Sequence, residues 1–421
     1  MNYLDSLNWI HERTKFGIKP GVKRMEWMLN QLNNPQDKIE GIHVVGTNGK
    51  GSTVSYLRDA LMANNYEVGT FTSPYIITFN ERISLNGNPI DDEELIHLVD
   101  IVKSVTERLD NETELGPATE FEVITLMMFV YFGTVHPVDF VVVEAGLGAL
   151  NDSTNVFQPI ITVLTSIGLD HTNILGDTYM DIAREKAGVI KPSVPLVYAV
   201  KPKDALHFVR DRIESHHNKG LELDRDINLV SDNDEFTYRY ENYELENIQL
   251  KMIGKHQHEN ASLAITALIE MYHRGLIQLD FNKMIDAIEN VTWKGRIERV
   301  NENPVIYVDG AHNKESIDAL VDTIREYYPN KQVDILFAAI DGKPIGKMLN
   351  SLEEITNRFY VTTFDFPKAL SIETLYQNIE HPNVVKVEDY NTFINEYDGE
   401  LLFVTGSLYF ISEVRKLFSN I

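Results

Sequence analysis

The chain has 421 residues, 43% of them hydrophobic, a net charge of −25 and no cysteine. Its length predicts two or three domains, and its negative charge argues against nucleic acid or an anionic membrane as the main partner. Without cysteine there are no disulfides and no thiolate chemistry, which suits a cytoplasmic protein. The first residues mix charges with apolar side chains, which is not the pattern of a secretory signal. The sequence also lacks a run of about 18 apolar residues that would predict a membrane span.

Short β-type runs alternate with helical patterns from residue 42 to about 200. We predict strands at Ile42–Val45, Phe140–Val143, Ile160–Leu164 and Leu196–Val200, and helices at Ser52–Ala63 and Phe121–Phe132. Strands that alternate with helices need crossover connections, so this part predicts an α/β domain with a mostly parallel sheet. Residues 74–87 are predicted to form a long, mobile loop.

Residues 201–250 have a different pattern. Apolar and polar residues alternate in FTYRY (236–240) and again in IQLKM (248–252), on either side of a turn at Glu241-Asn242. This alternation predicts a small antiparallel insert. A helix is predicted after it, from about Glu259 to His273.

The polar segment Trp293–Asn303 is predicted to join two domains. After it, the alternation of strands and helices resumes, which predicts a second, smaller α/β domain of the Rossmann type. The strands predicted in this domain are Val305–Val308, Asp334–Ile340, Phe359–Thr363, Val384–Val387 and Leu401–Val404. We therefore expect an ATP-binding domain at residues 1–298 and a C-terminal domain at 299–421.

The segment GTNGKGST (46–53) places three glycines, a lysine and two hydroxyl groups between a predicted strand and a predicted helix. Backbone amides at such a junction bind anions, and Lys50 would add a positive charge. The common phosphate loop has a further glycine ahead of its Gly-Lys pair and Ser or Thr directly after the lysine. Here Val44 and Gly51 occupy those two positions. The segment predicts phosphate binding but does not by itself identify a reaction.

Further motifs follow along the chain. They are FTSPYIITFNERISLNG (71–87), ATEFEVITLMMF (118–129), VVVEAGLGALNDSTN (141–155), IGLDHTNILGDTYMDIAREKAGVIK (167–191), GKHQHENA (254–261), WKGRIE (293–298), VDGAHN (308–313) and VTGSLYF (404–410). In this order, after GTNGKGST, they resemble the folylpolyglutamate synthase/dihydrofolate synthase family, a branch of the Mur-ligase-like amide ligases, over essentially the whole chain. The loop of that family carries the additional glycine after the lysine, so the spacing at Gly51 is the family pattern. The resemblance implies a Mur-ligase-like P-loop ATPase domain with the smaller α/β domain behind it.

The resemblance implies a ligase that uses ATP, L-glutamate and either a folate or a dihydropteroate. ATP would phosphorylate a carboxylate of the folate-type substrate, and the amine of glutamate would then displace phosphate to form an amide. Such phosphoryl transfer depends on positioning, positive charge and metal ions more than on covalent help from the protein. The implied cofactors are ATP and two Mg²⁺ ions, with a monovalent cation as a further candidate. We expect a monomer.

The resemblance also assigns metal ligands. Ser73 and Glu144 would hold one Mg²⁺, and His171 and Lys186 would serve a second, with Lys186 as a carbamate formed with CO₂. The residues alone leave other roles open, since Ser73 fits a turn before Pro74 and Lys186 fits a helix surface. Imidazole is an unusual ligand for Mg²⁺, so only the resemblance leads to His171. Lys50, His171 and Lys186 are the predicted catalytic residues.

Nucleotide and substrate contacts are implied in the same way. The nucleotide contacts are Thr47, Asn48, Gly49, Lys50, Gly51, Ser52, Thr53, Asn260, Arg296, Asp309 and His312. The substrate contacts are Phe79, Arg82 and Phe121 for the pterin-bearing substrate, with Tyr75 as an alternative stacking ring, and Ser407 for glutamate. The residues alone also allow a helix N-cap at Asn260, helix capping by Asp309 and His312, and a surface loop with scattered aromatics at Phe79.

Two other functions remain open from the sequence. A Mur-type cell-wall ligase that acts on a UDP-muramoyl substrate would share the ATP core but would generally carry a substrate domain ahead of the phosphate loop. Only about 45 residues precede the loop, too few for such a domain, which favours the folate ligase. A non-catalytic nucleotide-binding scaffold would be expected to have lost Lys50, Glu144 or Asp309, and all three are present.

Overall fold

The structure is a computed structural model that describes residues 1–232 and 234–418. Its strands are β1 (Gly41–Val45), β2 (Val68–Phe71), β3 (Ile83–Leu85), β4 (Asn88–Pro89), β5 (Phe140–Glu144), β6 (Ile161–Leu164), β7 (Leu196–Tyr198), β8 (Gly220–Glu222), β9 (Ile227–Asp232), β10 (Glu235–Tyr240), β11 (Tyr243–Gln249), β12 (Glu298–Glu302), β13 (Val305–Val308), β14 (Val333–Phe337), β15 (Arg358–Val361), β16 (Val384–Lys386) and β17 (Leu401–Thr405).

Its helices connect and cover these strands. They are α1 (Tyr3–His11), α2 (Lys23–Gln31), α3 (Lys50–Ala63), α4 (Asp92–Glu112), α5 (Glu120–Val130), α6 (Thr172–Leu175), α7 (Tyr179–Lys186), α8 (Lys203–Ser215), α9 (Lys255–His273), α10 (Phe281–Asn290), α11 (Lys314–Tyr327), α12 (Ile345–Glu353), α13 (Ile372–Tyr376), α14 (Tyr390–Glu396) and α15 (Leu408–Lys416). Within the described ranges, none of the helices has both the length and the apolar composition needed to cross a membrane.

The main sheet has the strand order β4-β3-β2-β5-β1-β6-β7-β8 and is parallel from β2 to β8. Strand β1 lies between β5 and β6, with Val44 opposite Glu144 and Val45 opposite Leu164. The carboxyl ends of parallel strands meet at one edge of a sheet, which is where α/β folds bind ligands. The residues that follow β1, β5 and β6 are therefore brought together.

Both faces of the main sheet are buried, as its continuous apolar strands require. Helices α3, α9 and α10 pack on one face in a core that includes Val44, Leu57 and Leu268. On the other face, α2, α4 and α5 cover one half of the sheet, and α7 and α8 cover the half that contains β6 and β7. The predicted strands and helices of this region are present, although α3 begins two residues earlier than predicted, at Lys50, and α5 and β7 each end two residues earlier, at Val130 and Tyr198.

The antiparallel insert is confirmed as the sheet β11-β10-β9, but only from residue 227 onwards, because residues 203–222 of the predicted range contain α8 and β8 of the main sheet region. Phe236, Tyr238 and Tyr240 are buried on one face of β10, as their alternation predicts. The second alternating run is only partly a strand, because β11 ends at Gln249 and the buried residues Leu250 and Met252 follow it. The helix predicted from about Glu259 begins earlier, at Lys255.

The C-terminal sheet has the order β12-β13-β17-β14-β15-β16 and is parallel except for β12. The five predicted strands of this region are present, although β14 ends at Phe337. The segment predicted only as a polar junction contains β12, an edge strand that pairs with β13. Its polar composition misled the prediction because an edge strand has little to bury. The boundary at residues 298 and 299 stays a prediction and falls at the start of β12.

The predicted long, mobile loop at residues 74–87 is wrong for much of its length. Residues Ile83–Leu85 form β3, which extends the main sheet by pairing antiparallel with β2. The preceding Phe79–Arg82 is a 3₁₀ turn with a capping box, and the Glu81 carboxylate accepts hydrogen bonds from the amides of Ile76 and Thr78. A three-residue strand is too short to show a period in sequence. Strand β3 pairs with β2 and also with β4, where Leu85 lies opposite Asn88 across Asn86-Gly87, a hairpin-type dipeptide that the prediction overlooked.

Candidate active site

A cleft of about 790 Å³ lies at the carboxyl edge of the main sheet and is closed on its other side by loops of the C-terminal sheet. The predicted site residues that line it are Thr47, Asn48, Gly49, Lys50, Gly51, Ser52, Ser73, Arg82, Phe121, Glu144, His171, Lys186, Asn260, Arg296, Asp309, His312 and Ser407. Thr53, Phe79 and the alternative stacking residue Tyr75 lie outside the cleft lining. Thr53 is buried in α3 with its hydroxyl bonded to the carbonyl of Gly49 (2.9 Å), and Phe79 is 5% exposed.

Residues 46–49 connect β1 to the N-terminus of α3 and are held against the segment that follows β6. The amide of Thr47 donates to the carbonyl of Ser166 (3.0 Å), and the amide of Asn48 donates to the Ser166 hydroxyl (2.9 Å). Gly49 has φ +85° and is the residue before α3, a conformation that favours glycine. A Cβ atom there would lie 2.3 Å from Oδ1 of Asn260. The glycine therefore permits both the turn and the close approach of α9.

Asn260 lies in the second turn of α9 and not at its start, which is at Lys255 after Gly254. The alternative that Asn260 is a helix N-cap is therefore wrong. Its side-chain amide donates to Gln257 Oε1 (3.2 Å), and Gln257 donates in turn to the Ser52 hydroxyl (3.3 Å). These contacts connect α9 directly to the phosphate-loop helix.

Glu144 ends β5 directly opposite the phosphate loop. Its Oε2 accepts from the amide of Ser73 (3.2 Å), and its Oε1 lies 3.9 Å from Nζ of Lys50. Glu144 is 5% exposed, and burial raises the pKa of its carboxyl group against the opposing charges of Lys50 and Arg296. The nearby positive charges of the protein therefore do not fully offset the burial of this carboxylate. A bound cation would supply the missing positive charge.

His171 and Lys186 lie on the other side of the phosphate loop. His171 has φ +50°, a backbone conformation that is uncommon for a residue with a side chain. Burial lowers the pKa of His171 to about 4, and the charges of Lys343, His312 and Lys50 act in the same direction. The charge of Asp170 opposes this shift. Burial, and then Lys50, lower the pKa of Lys186 to about 7. The imidazole of His171 is therefore neutral near neutral pH, and a large fraction of Lys186 carries a neutral amine.

The C-terminal sheet contributes the opposite wall of the cleft. Asp309 follows β13 and accepts hydrogen bonds from the amides of Ile297 and Ala311 (both 2.9 Å). Burial raises the pKa of Asp309, although the nearby Arg296 opposes this shift. Two reciprocal hydrogen bonds join the side chains of Asn48 and Asn313 (3.1 and 2.9 Å). The loop that carries Asp309 is thereby bonded to the phosphate loop.

The sequence analysis did not identify Asp170, whose carboxylate connects the two walls of the cleft. Asp170 Oδ1 lies 2.5 Å from Nζ of Lys343, and its Oδ2 lies 3.3 Å from Nε2 of His312 and 3.2 Å from Nδ2 of Asn313. Burial would raise the pKa of Asp170, but the hydrogen bond and charge of His312 and the charge of Lys343 hold it well below its usual range. The sequence signal that marks Asp170 is its place directly before His171, whereas nothing in the sequence around Lys343 distinguishes that lysine.

A further part of the cleft is lined by Arg82, Phe121 and Ser407. Nε of Arg82 is buried without a hydrogen-bond partner, and the guanidinium lies 5.3 Å from the ring centroid of Tyr75 and 5.5 Å from that of Phe79. Burial lowers the pKa of Arg82. A Cβ atom at Gly146 would lie 2.5 Å from Cζ of Phe121, so the ring packs on that glycine. Ser407 is buried at the start of α15.

A second cluster of metal-type ligands lies outside the cleft. Among the residues that the structure describes, Glu241, Glu270 and His273 each offer one ligand atom, and these three atoms lie within 4.8 Å of one another. Nζ of Lys219 already lies 2.8 Å from Glu270. The ammonium group of Lys219 therefore already supplies positive charge to the carboxylates of this cluster.

Comparison with known proteins agrees with this arrangement. The chain matches the family models of the Mur ligase middle domain at residues 44–268 and of the Mur ligase glutamate ligase domain at 295–408. It is 43% identical to the dihydrofolate synthase/folylpolyglutamate synthase of Bacillus subtilis (strain 168), over 98% of each chain. The chain belongs to the dihydrofolate synthase/folylpolyglutamate synthase family. It is accordingly an ATP-dependent ligase, and its relation to the cell-wall Mur ligases is at the level of the superfamily.

Other relatives give the same assignment. This ligase is 31% identical to the folylpolyglutamate synthase of Lacticaseibacillus casei, over 99% of this chain and 98% of the relative. The solved folylpolyglutamate synthase of Mycobacterium tuberculosis complexed with ADP superposes with a TM-score of 0.91 at 26% identity, over 99% of this chain and 98% of that one. The Thermotoga maritima folylpolyglutamate synthase gives 0.86 at 30% identity, over 99% and 96%. The predicted fold class is confirmed.

Proposed function

We propose that this ligase joins L-glutamate to a folate and also to dihydropteroate, by activating a carboxylate of the acceptor with ATP. The observation that carries the proposal is a single cleft with a phosphate loop at one end and a buried, unpaired arginine nitrogen beside aromatic rings at the other. A chain that is 43% identical to a dihydrofolate synthase/folylpolyglutamate synthase supports the choice of substrate.

The reaction has two steps. In the first, the γ-phosphoryl group of ATP moves to the acceptor carboxylate, giving ADP and an acyl phosphate. In the second, the amine of glutamate attacks the acyl carbon, loses a proton and expels inorganic phosphate as the amide forms. We assign Lys50 and the amides at the start of α3 to the phosphate charge, because a helix N-terminus and an ammonium group both stabilise anions. Asn260, Arg296, Asp309 and His312 surround the same end of the cleft.

The residues that line the cleft fit the proposed Mg²⁺ ions. Ser73 and Glu144 offer oxygen, which Mg²⁺ prefers, and the raised pKa of the buried Glu144 carboxyl indicates that it lacks a full counter-charge. His171 and a modified Lys186 are the candidates for a second ion. Bound Mg²⁺ would supply positive charge to the phosphates, while the protein groups orient the carboxylate and exclude water.

We propose that Lys186 is carbamylated. Formation of a carbamate needs a neutral amine that attacks CO₂, and the pKa of about 7 gives Lys186 a large neutral fraction at physiological pH. The product carries an anionic group in place of an ammonium, which suits a metal site. The check is bicarbonate dependence of activity together with electron density beyond Nζ. A rate that is independent of bicarbonate, with density for an unmodified lysine, would contradict the proposal.

Acceptor binding is proposed for the other end of the cleft. Arg82 would pair with a carboxylate of the acceptor, and Phe121, with Tyr75 as an alternative, would stack on its rings. Phe79, which lies under the guanidinium of Arg82, would support that residue and not touch the ligand. Ser407 would contact the incoming glutamate. We further propose that the ligase acts in the cytoplasm as a monomer and that a monovalent cation assists it.

A coupled phosphate-release assay tests the proposed function. ATP, Mg²⁺ and L-glutamate are supplied with dihydropteroate, with tetrahydrofolate or with a UDP-muramoyl peptide, and product masses are measured. We expect turnover with tetrahydrofolate and dihydropteroate, with a mass gain of one glutamate. Turnover with the UDP-muramoyl peptide alone would establish the cell-wall alternative, and no turnover with any acceptor would favour the scaffold.

A further inference from the structure

A tryptophan side chain occupies the space beside Gly51, the residue that distinguishes this loop from the common phosphate loop. A Cβ atom at Gly51 would lie 3.0 Å from Nε1 and 3.3 Å from Cε2 of Trp293. Gly51 lines the cleft and Trp293 does not. The half-buried indole therefore abuts the first turn of α3 outside the cleft lining, against the main core.

Trp293 begins the turn that carries Arg296 into the cleft. The amide of Arg296 donates to the carbonyl of Trp293 (3.2 Å), and the amide of Gly310 donates to the carbonyl of Gly295 (2.9 Å). The amide of Ile297 donates to Oδ2 of Asp309 (2.9 Å). One short turn thus contacts the phosphate-loop helix through its first side chain and the loop of the C-terminal sheet through its backbone.

We propose that Trp293 is a positioning residue that fixes Arg296 relative to the phosphate loop, and that residue 51 is glycine because the indole needs its space. A Cβ atom at position 51 would make a tight contact of 3.0 Å with the indole, which would have to shift by a few tenths of an ångström, since close-packed interiors absorb added atoms by shifting neighbours. The displaced turn would carry Arg296 away from the nucleotide. This inference rests on the proposed nucleotide site but not on the identity of the acceptor.

An alternative explanation assigns Gly51 to the ligand, because a backbone without a side chain lets phosphate approach closely. The two explanations differ in one respect. If the glycine serves the phosphate, a side chain at position 51 harms binding whatever occupies position 293. If it serves the indole, the harm disappears when the indole is removed.

The test is a double-mutant cycle on the full chain, with ATP affinity measured by titration calorimetry and the KM of each substrate measured by phosphate release. We expect Gly51→Ala to weaken ATP binding about tenfold, the size of a moderate overpacking cost. The KM values for the acceptor and for glutamate should stay within about twofold, because neither site touches the indole. In the Trp293→Leu background, adding Gly51→Ala should weaken ATP binding by less than about twofold.

Equal effects of Gly51→Ala in both backgrounds would overturn the coupling and leave the glycine to the phosphate. A loss of ATP affinity with equal rises in the KM values for the acceptor and for glutamate would also overturn the coupling, since a general packing defect would change all three together. If Trp293→Leu lowers the unfolding midpoint too far, Trp293→Phe completes the same cycle. If the wild-type protein binds no ATP, both the proposed function and the coupling are overturned. If it binds ATP but the double-mutant cycle gives no interaction energy between positions 51 and 293, the coupling alone is overturned.

Trp27 provides the matched control. It is also half-buried and has an arginine guanidinium over its ring, Arg108 at 5.7 Å, as Trp293 has Arg58 at 5.8 Å. It lies on α2, outside the cleft lining. Trp27→Leu should lower the unfolding midpoint without changing ATP affinity. The same loss of ATP affinity in this variant would count against a specific role for Trp293.

A spectroscopic measurement completes the test. The chain has three tryptophans, so Trp9→Phe combined with Trp27→Phe leaves Trp293 as the only indole. We expect ATP to change the emission of that indole, because the nucleotide site and Trp293 share Gly51, and Gly51→Ala to shift the emission of the free protein. An emission spectrum that neither ATP nor Gly51→Ala alters would contradict the proposal.

Discussion

The two ends of the cleft are constructed differently. At the proposed nucleotide end, Asn48 is bonded to Ser166 through its amide and to Asn313 through its side chain, so the loop is fixed before any ligand arrives. At the proposed acceptor end, Arg82 has a buried nitrogen without a partner and rests on two aromatic rings. The first end is preorganised by hydrogen bonds. The second presents a charge whose hydrogen bonding a ligand would complete.

This difference indicates how the ends contribute to the reaction. Preorganised donors stabilise charge without rearranging, which lowers the barrier to phosphoryl transfer. An arginine with free donors contributes to binding of the acceptor before the reaction begins. Loss of a charged group at the proposed nucleotide end should therefore reduce kcat, and loss of Arg82 at the proposed acceptor end should raise the KM for the acceptor.

The largest expected effect is that of Lys50→Ala. Loss of the ammonium group at the phosphates should reduce phosphate release about 1000-fold, at the upper end of what one electrostatic contact contributes to a transition state. The measurement is kcat with saturating substrates, with Lys103→Ala on the exposed surface of α4 as control. Activity near that of the wild type would remove the phosphate role from the loop.

Glu144→Gln should weaken the response to Mg²⁺ while leaving the fold intact. The amide has the same shape but is a poor ligand, so the Mg²⁺ concentration for half-maximal activity should rise on the order of 100-fold. Because burial raises the pKa of this carboxyl, removing its charge should not lower the unfolding midpoint of the metal-free protein. An unchanged Mg²⁺ requirement would exclude Glu144 as a ligand.

Arg82→Ala tests the acceptor end. Loss of a charge-assisted hydrogen bond should raise the KM for the acceptor about 10- to 100-fold, with the KM for ATP unchanged. Arg82→Lys should recover part of the affinity, because the ammonium keeps the charge but not the planar donor pair. An equal rise in the KM for ATP would mean that the two ends of the cleft are not independent.

The smallest expected effect is that of Lys343→Met, which removes one partner of Asp170. The carboxylate would keep His312 and Asn313, so the free energy of unfolding should fall by about 2 kcal/mol. Chemical denaturation measures this change. Lys314→Met removes an exposed ion pair with Asp318 on α11 and should cost less than about 1 kcal/mol. Equal effects of the two substitutions would show that the buried pair does not hold the walls together.

The sequence predicted the nucleotide end of the cleft better than the acceptor end. The strand, the glycine-rich turn and the helix of the phosphate loop are local, so their pattern is visible in residues 42–63. The same holds for the alternating residues of β10, whose period of two marks a strand with one buried face. At the acceptor end, the short strand β3 pairs with β2, more than ten residues before it, and with β4 directly after it, and the prediction of a mobile loop failed there.

Most of the individual site residues came from the family motifs and not from local physics. Glu144 was marked by its place after an apolar strand, but nothing local distinguished His171 or Lys186 as functional. Neither the family motifs nor the local pattern identified Lys343, because a single lysine in a polar loop has no distinguishing pattern. Only the fold brings it to Asp170. Thr53 was included because it belongs to the motif, and the direction of the helix turned its hydroxyl away from the cleft.

The sequence by itself determined the two α/β halves, the antiparallel insert, the phosphate loop and the family. These follow from short-range periodicity, from glycine where backbone must turn, and from motifs whose order is linear. Tertiary structure alone decided which groups face one another across the cleft: Asp170 and Lys343, Asn48 and Asn313, Gly51 and Trp293. The partners in these pairs are more than 100 residues apart, and the chemistry of either partner does not specify the other until the chain has packed.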